Sequence, residues 1–178
     1  VAMGLNAGIT AIVARRFGEK DQDGAKRIVR HAIVMSVIAS VIMMVLFMLI
    51  AEPFLIITGA KQETLPISVR YLRIVLLSLP FNYVRLTICA AFRASGNTKV
   101  SLITNVSANI VNLFLNYCLI MGNLGFPRLE ADGAAIATSI GHFVAFIITI
   151  CTLRFKKSFI QTKLSDDWRM DKETTKNI

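Results

Sequence analysis

The run Val100-Ser-Leu-Ile-Thr-Asn-Val-Ser-Ala-Asn-Ile-Val-Asn-Leu-Phe-Leu-Asn-Tyr-Cys-Leu-Ile-Met121 holds twenty-two residues without a charge, with Asn105, Asn109, Asn112 and Asn116 at spacings of four, three and four. At about 100° per residue this spacing keeps the four amides within roughly 60° on a helix. The length suits a bilayer, since about 20 apolar residues cross a hydrocarbon core of roughly 30 Å. One face of the span is therefore polar. Hydrocarbon cannot satisfy carboxamides, so this face must meet other helices or a water-filled cavity, and the pattern predicts a transport bundle rather than a simple anchor.

The rest of the chain agrees with a membrane setting. Hydrophobic residues make up 54% of the 178 and charged residues 17%, against about a quarter in soluble domains, and mean hydropathy is +0.60. The net charge of +9 does not indicate nucleic acid, because the basic residues lie between apolar runs and are not interleaved with exposed aromatics. Cys89, Cys118 and Cys151 each fall inside an apolar segment without metal-like spacing, and all three read as packing residues.

Charges divide the chain into spans. Val1 to Ala14 is apolar but short, and reads as the tail of a helix whose beginning is missing. Ala32 to Ala51 is a clear span, bounded by Arg30 and His31 before it and by Glu52 and Pro53 after it. The next helix starts near Pro66 and runs through Ile74 to Phe92, with Pro80 kinking it and Arg85 inside it. Val100 to Met121 follows a turn containing Gly96 and Asn97, and a last span runs from Gly133 to Leu153. The predicted fold is an all-α polytopic bundle of four full spans and part of a fifth, occupying residues 1–154, with 155–178 as a polar linker or tail.

Lys and Arg near span ends are retained in the cytoplasm. Alternate connections divide twelve against four, with Arg15, Arg16, Lys20, Lys26, Arg27, Arg30, Arg93, Lys99, Arg154, Lys156, Lys157 and Lys163 opposed by Lys61, Arg70, Arg73 and Arg128. The Arg15 to Arg30 loop and the C-terminal tail are thus expected in the cytoplasm of a multi-pass protein of the cell membrane. Glu52, Glu63, Glu130 and Asp132 fall on the other side, where they read as solvated acids.

Several ordered segments carry a resemblance. Val13-Ala-Arg-Arg-Phe-Gly-Glu-Lys-Asp21 with Gly24 and Ala25, Tyr71-Leu-Arg73 with Pro80, and Phe92-Arg-Ala-Ser-Gly-Asn-Thr-Lys99 are three of them. The series continues through Asn109, Asn112 and Asn116 to Gly125-Phe-Pro127 and Gly133-Ala-Ala-Ile-Ala-Thr138. In this order and spacing the chain resembles the multidrug and toxic compound extrusion (MATE) family, from the second helix in part through the sixth. The resemblance implies most of an N-terminal lobe, with a missing second lobe of the same polypeptide as its partner. It also implies an alternating-access antiporter that expels cationic drugs or metabolites in exchange for protons or sodium ions, with no cofactor beyond that coupling ion. Paired lobes rocking about a midplane site suit such an architecture.

Two departures accompany the resemblance. The acidic residue assigned to coupling in the family lies on a first helix that this chain lacks. Where many relatives carry Asp, position 116 is Asn, which neither gains nor loses a proton near neutral pH.

The candidate cavity or ion-coupling residues are Asn82, Asn105, Asn109, Asn112, Asn116 and Thr138, with Thr138 carried by the resemblance. Arg85 and His142 are further possibilities inside spans. Arg85 shares a face with Ser78, Asn82 and Cys89, and either snorkels toward headgroups or serves the cavity. His142 either packs through a hydrogen bond or relays protons. Gly4 with Gly8, and Gly133 with Ala137 and Gly141, form small-residue faces suited to close helix contact.

No nucleophilic triad, metal-ligand spacing, phosphate-cradling loop or paired intramembrane carboxylate is visible, so an enzyme is not expected. Two other readings remain open. A flippase for lipid-linked oligosaccharides, from the related superfamily, would welcome Arg85 in its cavity because it handles anionic headgroups. A non-transporting half-size membrane module would need the gene to begin near Val1 and end near Ile178.

Overall fold

The computed structural model describes residues 2–155 and Ile160. The predicted all-α architecture is what it contains: α1 (Ala2–Gly18), α2 (Gln22–Ile57), α3 (Leu65–Leu77), α4 (Leu79–Ala94), α5 (Thr98–Met121) and α6 (Glu130–Phe155), with a short 3₁₀ turn at Asn123–Gly125. α2, α5 and α6 are each long and apolar enough to cross a membrane, and α3 with α4 makes a fourth, broken span bent by 46°.

Turn chemistry explains where the helices stop. At the end of α4, Gly96 adopts φ 78° and donates to the Arg93 carbonyl at 3.0 Å, while the Asn97 N–H reaches back to Phe92 O at 2.8 Å. This paired closure needs a left-handed residue, which Gly supplies at no steric cost. The end of α1 closes the same way, with Lys20 left-handed at φ 58° and Asp21 N donating to Arg16 O. Asp21 then caps α2, its carboxylate accepting from Gly24 N at 2.9 Å.

Two boundaries differ from expectation. The Arg15 to Arg30 segment is not a loop. Arg15 and Arg16 sit in the last turn of α1, Lys26, Arg27 and Arg30 lie in α2, and only residues 19–21 connect them. Charges mark where a helix leaves the bilayer, not where it ends, and here i,i+4 and i,i+3 pairs such as Arg15–Glu19 and Lys26–Asp23 favour continued helix. At the other end α2 does not stop at Pro53 but runs to Ile57. A proline this near the C-terminus disrupts little of the helix that follows it. The expected tail at 155–178 falls outside the described residues except for Phe155, which ends α6, and Ile160, which is buried.

The main apolar core lies toward the end of the bundle that carries the Gly18 and Gly96 turns. It joins Ile9 and Val13 of α1, Ile28, Val29, Ala32 and Ile33 of α2, Val84, Ile88 and Phe92 of α4, and Ile160. Toward the opposite end α2 presents Leu46, Leu49 and Ile50 outward. Cys89 and Cys118 are buried as expected, but Cys151 is exposed on α6 and packs in no core. The Gly4 face is open as well: a Cβ there would touch nothing within 4 Å.

The pairing that matters for the site is α5 on α6. Gly133, Ala137, Gly141 and Ala145 are all buried along one stripe of α6. A Cβ at Gly133 would stand 2.7 Å from the Leu119 carbonyl oxygen, and one at Gly141 would stand 3.1 Å from Ala108 O. Only small residues permit that approach.

Candidate functional site

The four amides of α5 do not act as one stripe. Asn112 and Asn116 turn to α6, where Asn116 Nδ2 donates to Asn112 Oδ1 at 2.9 Å and Asn112 Nδ2 donates to Thr138 Oγ1 at 3.2 Å. Thr138 in turn donates to Ala134 O at 2.9 Å. Each group in this line donates a hydrogen bond to the next, and Asn116 Oδ1, buried at its head, has no hydrogen-bond partner among the described residues. An amide oxygen accepts two hydrogen bonds or coordinates a cation, so the head of the line is an open acceptor.

Asn105 turns the other way. Its Oδ1 accepts from Arg85 Nη1 at 2.6 Å, while Asn82 Oδ1 accepts from Arg85 Nη2 at 2.9 Å and from Nε at 3.3 Å. Arg85 is 8% exposed, so it does not snorkel to headgroups. Two neutral carbonyl oxygens hold a permanent cation here, and no carboxylate pairs with it among the described residues. Asn109 lies between the two clusters, exposed, and makes no side-chain hydrogen bond among the described residues. From Asn105 to Asn116 the helix rises about 16 Å, so the clusters sit at different depths.

His142 belongs to neither. Its Nδ1 lies 3.1 Å from Ser78 Oγ, at the break between α3 and α4, and Ser78 Oγ also bonds Val75 O at 2.7 Å. A hydroxyl carries one proton. The carbonyl must accept it, so the bonding pattern assigns the Nδ1 proton to His142 as donor. Ser139, not singled out in the sequence, bonds Ile74 O at 3.2 Å beside it. Asp132 is no free solvated acid either, since it pairs with Arg70 at 3.2 Å. No group of three or more metal-ligating side chains occurs among the described residues.

Apolar helices of membrane-spanning length that carry neutral amides and the buried Arg85 guanidinium are those of a polytopic membrane bundle. The MatE family model matches residues 1–118, and the chain belongs to that family. Its relatives are transporters, not enzymes. Among curated proteins it is 25% identical over 159 residues to the "Probable multidrug resistance protein YoeA" of Bacillus subtilis, covering 89% of this chain and 34% of that protein. It is 27% identical over 156 residues to the "Probable multidrug resistance protein NorM" of Bacillus cereus, covering 88% and 34%. A crystal structure of MATE in the bent conformation superposes with a TM-score of 0.88 at 25% identity, covering 98% of this chain and 38% of that one. The chain thus spans about a third of the length of the curated relatives it matches.

Proposed function

We propose that the protein contributes a lobe to a cation-coupled antiporter that exports cationic drugs or metabolites in exchange for protons or sodium ions, with a second lobe of the same polypeptide completing the pathway. The observation that carries this reading is the polar line Asn116–Asn112–Thr138 with its open acceptor, set on a helix whose Asn105 and Asn109 are also exposed. An amide facing hydrocarbon costs several kcal/mol, on the order of 4 to 8 for transfer to cyclohexane, so Asn109 calls for a partner or a wet cavity. Asn82, Asn105, Asn109, Asn112, Asn116 and Thr138 would line that cavity. The bond to Ser78 supports a packing role for His142. The positive-inside bias supports a plasma-membrane protein with the turn at residues 19–21 and the C-terminal tail in the cytoplasm.

The buried position of Arg85 favours a second reading, transport of an anionic headgroup as in an oligosaccharide flippase. A cation locked into the bundle would repel a cationic substrate and attract an anionic one. Ethidium efflux from cells expressing the complete reading frame, beside the chain alone, separates the readings. Dye export by the complete frame only supports the exporter lobe, whereas export by the chain alone supports assembly of half-size subunits. A complete frame that exports no dye leaves the anionic reading ahead.

A further inference from the structure

The cluster around Arg85 is closed to a donor but not to an acceptor. A guanidinium only donates, so the atoms it meets on Asn82 and Asn105 are the carboxamide oxygens, and the orientation of both amides is fixed. Three of its five N–H bonds are taken, from Nε and Nη2 to Asn82 and from Nη1 to Asn105, which leaves one on each Nη. The Nδ2 groups of Asn82 and Asn105 make no hydrogen bond among the described residues. What the cluster has left to offer is therefore almost all donor. Asn105 is exposed and Asn82 half-buried, so these donors reach the surface, while Arg85 sits behind them at 8% exposure.

The charge is as one-sided as the hydrogen bonding. From Thr64 to Leu129 the sequence has no Asp or Glu, and α4 and α5 lie wholly within that stretch. α1 carries no acid, and those of α2 and α6 stand at or near the ends of their helices. Asp132 shows the distance involved. His142 is level with Ser78; Asp132 lies ten residues up α6 from that level and Arg85 seven residues down α4, so about 25 Å separates them along the bundle. Asp132 is also committed to Arg70, as Asp23 is to Lys26 and Glu130 to Arg128. The charged side chain two turns on from Arg85 is Arg93, bonded to Ser101 at 2.9 Å and positive as well. A buried cation without a counter-charge is strongly unfavourable.

We propose that Arg85, Asn82 and Asn105 bind one small monovalent anion, a halide such as chloride, on the free N–H bonds of the guanidinium and the Nδ2 groups of both amides. One positive charge calls for one negative charge, and a guanidinium this enclosed has room for an ion but not for a lipid headgroup. The bound ion cancels the field that otherwise sets Arg85 against a cationic substrate. Binding of this kind goes beyond the export reading and is measured without transport, so its failure and the failure of that reading are separable.

The test is equilibrium binding of radiolabelled chloride to transporter purified from its complete reading frame, with gluconate keeping the ionic strength constant. Binding should saturate, and bromide should compete for it. Arg85→Met should weaken it by about tenfold or more, the loss expected when a charge-assisted contact is removed. Asn105→Asp sets a carboxylate against the guanidinium in place of the anion and should abolish chloride binding with the fold intact, which keeps the test decisive if Arg85→Met fails to fold. Arg128→Gln, which removes an exposed cation outside the cluster, should leave binding unchanged. The absence of saturable binding by the wild type would overturn the proposal and leave Arg85 to a carboxylate elsewhere in the complete protein. Wild-type affinity in Arg85→Met or in Asn105→Asp would also overturn it, as would an equal loss in Arg128→Gln. So would displacement of the chloride by phosphatidylglycerol, which would assign the cluster to a headgroup.

Discussion

The two polar clusters on α5 are built from the same side chain and behave as opposites. Around Arg85, amide oxygens converge on a fixed positive charge and the group is closed. Around Asn116, amides and a hydroxyl pass donors along a line that begins with an unfilled oxygen. The difference teaches that a carboxamide takes its role from what its oxygen meets. In one cluster the oxygens are committed to a guanidinium, and in the other one oxygen keeps its lone pairs uncommitted among the described residues.

The sharpest way to break this contrast is to remove the open cluster. Asn112→Leu with Asn116→Leu in the full-length transporter should lower ethidium efflux to the level of cells without it, while membrane insertion stays normal. Undiminished efflux would remove the cluster from the pathway. Arg85→Met should act on stability instead. It leaves the half-buried Asn82 oxygen without its donor and frees that of the exposed Asn105, which costs up to about 1–3 kcal/mol for the more buried of the two, seen as a fall in the melting temperature of purified protein. An unchanged melting temperature would show that the closed cluster holds nothing together.

A smaller and more specific effect is expected from Asn116→Asp, which makes the open oxygen titratable. Efflux by that variant should vary with external pH more steeply than in the wild type, and parallel pH profiles would exclude position 116 from coupling. Smallest of all, Asn109→Leu should change melting by less than about 0.5 kcal/mol of stability, since the amide is exposed and unbonded. A marked loss of efflux with stability intact would then mark Asn109 as a contact of the pathway.

Much of this was legible in the residues. The spans follow from charge-free runs of bilayer length, and the close approach of α5 and α6 follows from Gly133, Ala137 and Gly141 at four-residue steps. The division of the amide stripe was not legible, because periodicity reports a face and not which neighbour covers each part of it. Here the small residues draw α6 against Asn112 and Asn116, and α4 takes Asn105. The Arg85–Asn105 bond did leave a signal. Arg85 stands eleven residues before Gly96 and Asn105 nine after it, so an antiparallel hairpin about that turn brings them to similar depth. Helix ends were misjudged at Arg15 to Arg30 and at Pro53 because hydropathy marks the edge of lipid, whereas hydrogen bonding decides where a helix stops.

The break at Ser78 has a mechanical meaning. Pro80 ensures that the span bends, since it cannot donate to the preceding turn, but a proline alone leaves the direction of the bend loosely determined. The fastenings come from α6: Ser139 on Ile74 O, His142 on Ser78, and Asp132 on Arg70. α3 is thereby strapped to α6, and α4 lies against α1 and α2. α3 also packs on α2 and α4 on α6, so the bend at Ser78 is held from both sides, and its angle is set by side-chain fastenings to α6 as much as by the proline.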